Sequence, residues 1–267
     1  ELPTLQFSEL GFNIQAMSVR SALSVSKEGL SADMGIRSTL RLGDSCLIVG
    51  EVRSTEALAL YEAMRVGALA NVVAGTIHGD SPYGVYDRLV NDLGVPNTSF
   101  KATDIIIVAN PVRSADGLHR NRRVTQITEI RKNWEKDPFL ENGFQDLFTY
   151  NTENDRLEVT DDLINGESDI LKSIGGKVKQ WAGNWDAIWD NITLRSNVKK
   201  LQIQYADYYE LDSLLEAKAV IDANDMFHKI SEKVNEEEGY TNSKKILFEF
   251  EEWLKGYARQ LYNETYN

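Results

Sequence analysis

Glu51 closes an apolar run, Leu47-Ile48-Val49-Gly50-Glu51-Val52-Arg53, in which a strand-like stretch gives way to a carboxylate and, two residues later, to a guanidinium. A carboxylate at the mouth of a sheet accepts a hydrogen bond from water and orients that water for in-line attack on a phosphoryl group. His78 ends a second run of the same kind, Ala74-Gly75-Thr76-Ile77-His78-Gly79-Asp80-Ser81-Pro82, 27 residues beyond Glu51. In a parallel sheet the two side chains face the same edge. Taken by spacing alone, an exposed glutamate at a strand end is the simpler account of Glu51, and the pair carries more than either residue.

The elements that must position this pair alternate short β-type runs with amphipathic helical stretches, the pattern of a parallel sheet with crossover helices. Cys46–Val49, Asn71–Thr76 and Asp104–Ala109 are Val- and Ile-rich and bounded by polar residues, so they are expected strands. Ser54 is expected to cap a helix carrying Glu56, Leu58, Tyr61 and Met64 to Val66, with Gly67 after it. Ser81-Pro82 is a second helix start, because proline fits the first helical position, and Gly94 is the stop. Val124–Ile130 is a further candidate strand, and Phe144–Tyr150 with Arg156–Val159 a hairpin. From about Ile164 the pattern is mainly helical. Trp181, Trp185 and Trp189, four apart, are expected along one helix face as packing residues. Leu201–Val234 and Lys244–Tyr262 are expected as two more helices, separated at Glu236-Glu237-Glu238-Gly239.

Composition narrows the function classes. The 267 residues suffice for about two domains, with a division expected at 135/136. Residues 1–136 hold 15 Lys and Arg against 15 Asp and Glu, and residues 137–267 hold 14 against 26, so the net charge of −12 belongs to the second half. An acidic half disfavours nonspecific binding to nucleic acid or anionic lipid and favours a basic protein partner. No run of about 18 apolar residues and no signal-type N-terminus is seen, so direct membrane insertion is not expected. Cys46 is expected as a small buried hydrophobe in a reducing, cytoplasmic setting. Arg113, Arg120, Arg122 and Arg123 with His119 form a basic loop, either solvated or in contact with another subunit or with the acidic half.

The order and spacing of Leu40-Arg41, Ile48-Val49-Gly50-Glu51-Val52-Arg53, Glu56-Ala57 and Gly75-Thr76-Ile77-His78 resemble the Walker B and histidine boxes of the ATPases that drive type II and type IV secretion, pilus and archaellum assembly. Phe12-Asn13-Ile14-Gln15, Val19-Arg20 and Thr103–Asn110 favour the archaeal branch. The resemblance covers residues 1–132 well and 133–200 thinly. It implies an α/β fold with a partial RecA-like P-loop NTPase domain over 1–135; the charge and the helical pattern make 136–267 an acidic, mainly helical region.

By the same resemblance Glu51 is the catalytic glutamate, Gly50 holds the place of the usual Walker B aspartate, and His78 lies near the γ-phosphate. Arg53 belongs to the motif. Arg20, Arg37 and Arg41 lie where the family sets arginines that meet phosphate or the adjacent subunit. ATP and Mg2+ would be the ligands, a homo-oligomeric ring, a hexamer, the assembly, and a membrane platform protein the partner. No G-x-x-x-x-G-K-S/T occurs, and Gly175-Gly176-Lys177-Val178 lacks the spacing and the hydroxyl. Glu1-Leu2-Pro3 resembles the tail of the family's aspartate box, so the chain is expected to begin after the phosphate loop and to be inactive alone. The alternative function is a non-catalytic interaction module docking on a secretion or pilus platform.

Overall fold

The computed structural model describes residues 4–17, 31–39, 46–54, 56–66, 72–114 and 117–266. It is a mixed α/β protein whose chain contacts group into two compact units, residues 16–170 and residues 171–267 with 2–15. Helix α1 (Thr4–Glu9) belongs to the second unit.

In the first unit, α2 (Ala32–Thr39) precedes β1 (Cys46–Val49), α3 (Glu56–Val66) and β2 (Val72–Gly75). β1 and β2 pair in parallel, Cys46 against Val72 through Val49 against Gly75, so their C-terminal ends are level. The inward-facing Leu47, Val49 and Val73 pack on a core that includes Ala57, Leu60, Val85, Leu89, Phe100 and Trp134. Helix α4 (Pro82–Asp87) starts as expected: Pro82 sits in the first turn and the Ser81 hydroxyl accepts from the Gly84 amide at 3.1 Å. A π-helical turn over Arg88–Asp92 follows, and Gly94, at φ +74°, ends the helical stretch in the left-handed region that favours glycine.

After α5 (Asn97–Phe100) come β3 (Ile105–Arg113), β4 (Arg120–Ile130), β5 (Phe144–Asn151) and β6 (Arg156–Val159), a four-stranded antiparallel sheet in sequence order. The expected strand Asp104–Ala109 is therefore present but not as a third parallel strand. Residues 114–119 are too few for the crossover that parallel pairing needs, and the turn is closed by Ser114 N donating to His119 O at 3.0 Å. The expected basic loop is this hairpin, with Arg113 in β3 and Arg120, Arg122 and Arg123 in β4. Arg123 forks onto Asp155 at 2.7 Å through both Nε and Nη2. Because β4 pairs with β5, the sheet crosses the expected division at 135/136, and the first unit runs to residue 170. Helices α6 (Asp161–Ile164) and α7 (Asp169–Gly175) follow.

Among the described residues of the second unit, α8 (Trp185–Tyr209), α9 (Ala217–Glu238) and α10 (Ser243–Tyr266) share a core. Ile246, Phe250, Leu254 and Ala258 of α10 recur every fourth residue with no exposure, which is what one buried helix face requires. Buried Gln202 is satisfied by donating to Leu214 O at 2.7 Å. Three expectations change here. Leu201–Val234 is interrupted, because Glu210 turns left-handed and a 3-10 turn over Asp212–Leu215 separates α8 from α9. Trp181 precedes α8, whose start is capped by Asn184, so only Trp185 and Trp189 stack, at 6.4 Å. The break near residue 239 lies after the glutamates, at Gly239 with φ +76°. Among the described residues no helix is long and apolar enough to cross a membrane.

Candidate functional site

The level ends of β1 and β2 decide where Glu51 and His78 go. The ladder continues past the strands: Thr76 N donates to Val49 O at 3.4 Å and Val52 N to Thr76 O at 2.8 Å. The Thr76 hydroxyl donates to Gly50 O at 2.5 Å. Glu51 thus lies in a short connection pinned on both sides to Thr76, two residues before His78.

The Glu51 carboxylate accepts from Arg53 Nη2 through Oε2, and its Oε1 lies 3.1 Å from His78 Nε2. That approach is close but poorly aimed: Oε1 is fully covered and accepts no hydrogen bond of acceptable angle. The Arg53 hydrogen bond holds the Glu51 carboxyl below its usual range. Partial burial opposes the shift, and the charge of Arg53 and the proximity of His78 add to it. The same contact raises the Arg53 guanidinium. His78 is 77% exposed and Arg53 68% exposed, so both are open to an incoming group.

The structure brings together Glu51, Arg53 and His78. It turns Arg37 elsewhere, with Nε on Asp33 at 3.2 Å and Nη2 on Glu62 at 3.0 Å, where it joins α2 to α3. Arg20 and Arg41 lie outside the described residues. An open depression beside His78 is lined by Asp80, Asp87, Arg88, Asp92 and Asn110. Three carboxylates against the single Arg88 make it a poor seat for phosphate. Asn110 Nδ2 donates to Asp80 O at 3.0 Å and so ties the loop after His78 to β3.

Residues 12–139 match the family model described as type II/IV secretion system protein. The matched segment is just under half of the chain. The chain is also 34% identical over 142 residues to an uncharacterized protein of Methanocaldococcus jannaschii, a match that takes in 52% of this chain and 47% of the relative. The chain therefore spans about half the length of the curated relative it matches. All of Glu51, Arg53 and His78 lie inside the segment that matches the secretion-family model.

Two further residues hold Glu51 in place. Thr76 is expected as the end of the second strand and as part of the histidine run. Glu56 is expected in a helix capped by Ser54 and beside Ala57 in the resembling segment. Instead Ser54 Oγ donates to Glu56 Oε2 at 2.6 Å, and Glu56 Oε1 accepts from Arg53 N at 2.6 Å and Ser54 N at 2.9 Å. Burial pushes the Glu56 carboxyl up, and its hydrogen bonds from Ser54 and from the backbone of residues 53, 54 and 56 outweigh that, leaving it lowered. The signal was in the spacing: Glu56, Leu60 and Ala63 follow the i, i+4, i+7 stripe that is buried in α3, and a carboxylate on such a stripe requires partners. Cys46, expected inside, is exposed, because it faces away from the core in the alternation of β1.

Proposed function

We propose that this chain supplies the water-activating part of an ATP-hydrolysing type II/IV secretion motor, with a RecA-like arrangement completed by a segment that carries the phosphate-binding loop. The observation that carries the reading is the approach of Glu51 and His78 at the level ends of two parallel strands, beside an exposed Arg53. A second observation supports the incomplete arrangement. Parallel strands are ordinarily covered on both faces, yet Ile48 and Val72 of the parallel pair are exposed. Among the described residues β2 pairs only with β1, and β3 only with β4.

In this reading a shift of the exposed His78 ring uncovers Oε1 of Glu51, which then accepts a hydrogen bond from water and aligns it with the γ-phosphate. Arg53 holds the other oxygen, keeping the carboxylate ionised and in place. Among the described residues no group of three carboxylate, histidine or cysteine side chains converges as a metal cage, and Arg53 occupies one Glu51 oxygen. Magnesium would be held by phosphate and water. A hexameric ring, the archaeal branch and a membrane platform partner complete the proposal.

The test is titration with a fluorescent ATP analogue, with and without a separately expressed fragment carrying the phosphate loop. Binding and hydrolysis are expected only in the mixture, and Glu51→Gln in this chain is expected to abolish hydrolysis while sparing binding. A folded mixture that neither binds nor hydrolyses ATP would instead support a non-catalytic docking module, for which the acidic second half fits a basic partner.

A further inference from the structure

Glu51 sits in a connection with no regular structure of its own. One side of that connection is fixed by Thr76, through Gly50 O and Val52 N. The other side is fixed by a single carboxylate, Glu56, only 8% exposed, which receives the amides of Arg53 and Ser54 and the Ser54 hydroxyl. The geometry points to Glu56 as a positioning residue for Glu51, acting through the Arg53–Ser54 backbone and resting on the water-activating role proposed above. All three contacts are donors directed at two oxygens, a demand met by a carboxylate. The Arg53 amide that Glu56 holds belongs to the residue whose guanidinium holds Glu51. Releasing that amide frees the guanidinium, the Glu51 rotamer and the Glu51–His78 approach together.

A purely structural role at the start of α3 would lower stability and leave Glu51 and His78 as they are, so the decisive readout is His78 itself. The chain has three histidines, and the ring signals of His78 are assigned by loss in His78→Asn. In the full chain, Glu56→Ala is expected to move the His78 ring resonances in the direction that Glu51→Gln moves them, by at least half as much. Glu56→Gln is expected to restore them, since its amide oxygen still accepts both backbone N–H groups while the Ser54 hydroxyl turns to accept from the amide. Ser54→Ala, which removes one donor, gives a smaller shift of the same sign and serves if Glu56→Ala does not fold. Folded Glu56→Ala, or Ser54→Ala in its place, with unmoved His78 signals would overturn the assignment.

In the mixture that reconstitutes ATP hydrolysis, Glu56→Ala is expected to lower kcat by about ten- to a hundredfold, with KM changed less than about twofold. Absence of hydrolysis in the wild-type mixture would refute the motor reading, while the His78 signals would still decide the role of Glu56.

Discussion

Glu129 is fully buried in β4 and ties the start of α7 to the sheet. Ser168 Oγ donates to its Oε2 at 2.5 Å, and the Asp169 and Ile170 amides donate to its Oε1 at 2.9 and 3.3 Å. Glu129→Ala removes the acceptor that these three donors share. Ser168 is itself fully buried, so removing the carboxylate costs its hydroxyl a charge-assisted hydrogen bond worth about 1.5–3 kcal/mol. Asp169 is exposed and Ile170 partly so, which lets water reach those amides and reduces their share to about 1 kcal/mol together. The expected loss is therefore about 2–4 kcal/mol. Glu129→Gln keeps an oxygen for the two amides, and the Ser168 hydroxyl turns to accept from the new N–H, so its cost is expected within about 1 kcal/mol.

The assay is urea unfolding read at Trp134, which is buried in the first unit, with the other four tryptophans replaced by phenylalanine. Amide exchange at residues 169 and 170 reports the same contact locally. A Glu129→Ala protein within about 0.5 kcal/mol of wild type, with unchanged exchange at both amides, would refute the reasoning.

Gly79→Ala would place its Cβ 2.7 Å from Val85 Cγ2 and 3.3 Å from Val85 N, so the turn between His78 and α4 must shift. A destabilisation of about 1–3 kcal/mol is expected by thermal unfolding, whereas Gly50→Ala, with no heavy atom within 4 Å, stays within about 0.5 kcal/mol. Equal costs at the two sites would contradict the packing described. Arg123 first, and then Tyr150, hold the Asp155 carboxyl well below its usual range, so its folded value lies under its unfolded one. Its stabilisation is then full above the unfolded carboxyl value of about 3.9 and lost as pH falls below it. Urea midpoints of wild type and Asp155→Asn are expected to differ at pH 6 and to converge toward pH 2. A gap that stayed constant across that window would exclude the linkage.

Local chemistry made much of this molecule legible. The β-branched runs at 46–49 and 72–75, the Ser81-Pro82 start, the 144–159 hairpin and the four-residue repeat of α10 each follow from rules that act within one or two turns of chain. So does the order of Glu51 and His78, since a strand end is visible without knowing what the strand pairs with. Pairing partners are a different matter. Whether 104–109 joined a parallel or an antiparallel sheet depended on the short turn at 114–119, and the Arg113–Arg123 segment was a pair of strands because backbone groups opposite one another satisfied each other. Cys46 is apolar yet exposed because alternation along β1 turned it from the core. The amphipathic run 201–234 looked continuous because periodicity survives a left-handed residue such as Glu210. The contacts that position the candidate site, Thr76 on Gly50 and Glu56 on residues 53 and 54, are tertiary or turn contacts among polar groups. The period of α3 marks Glu56 as buried and in need of partners, but it does not say which, because a hydrogen bond is set by distance and direction, and those are fixed only when the strands and the first turn of α3 have been brought together.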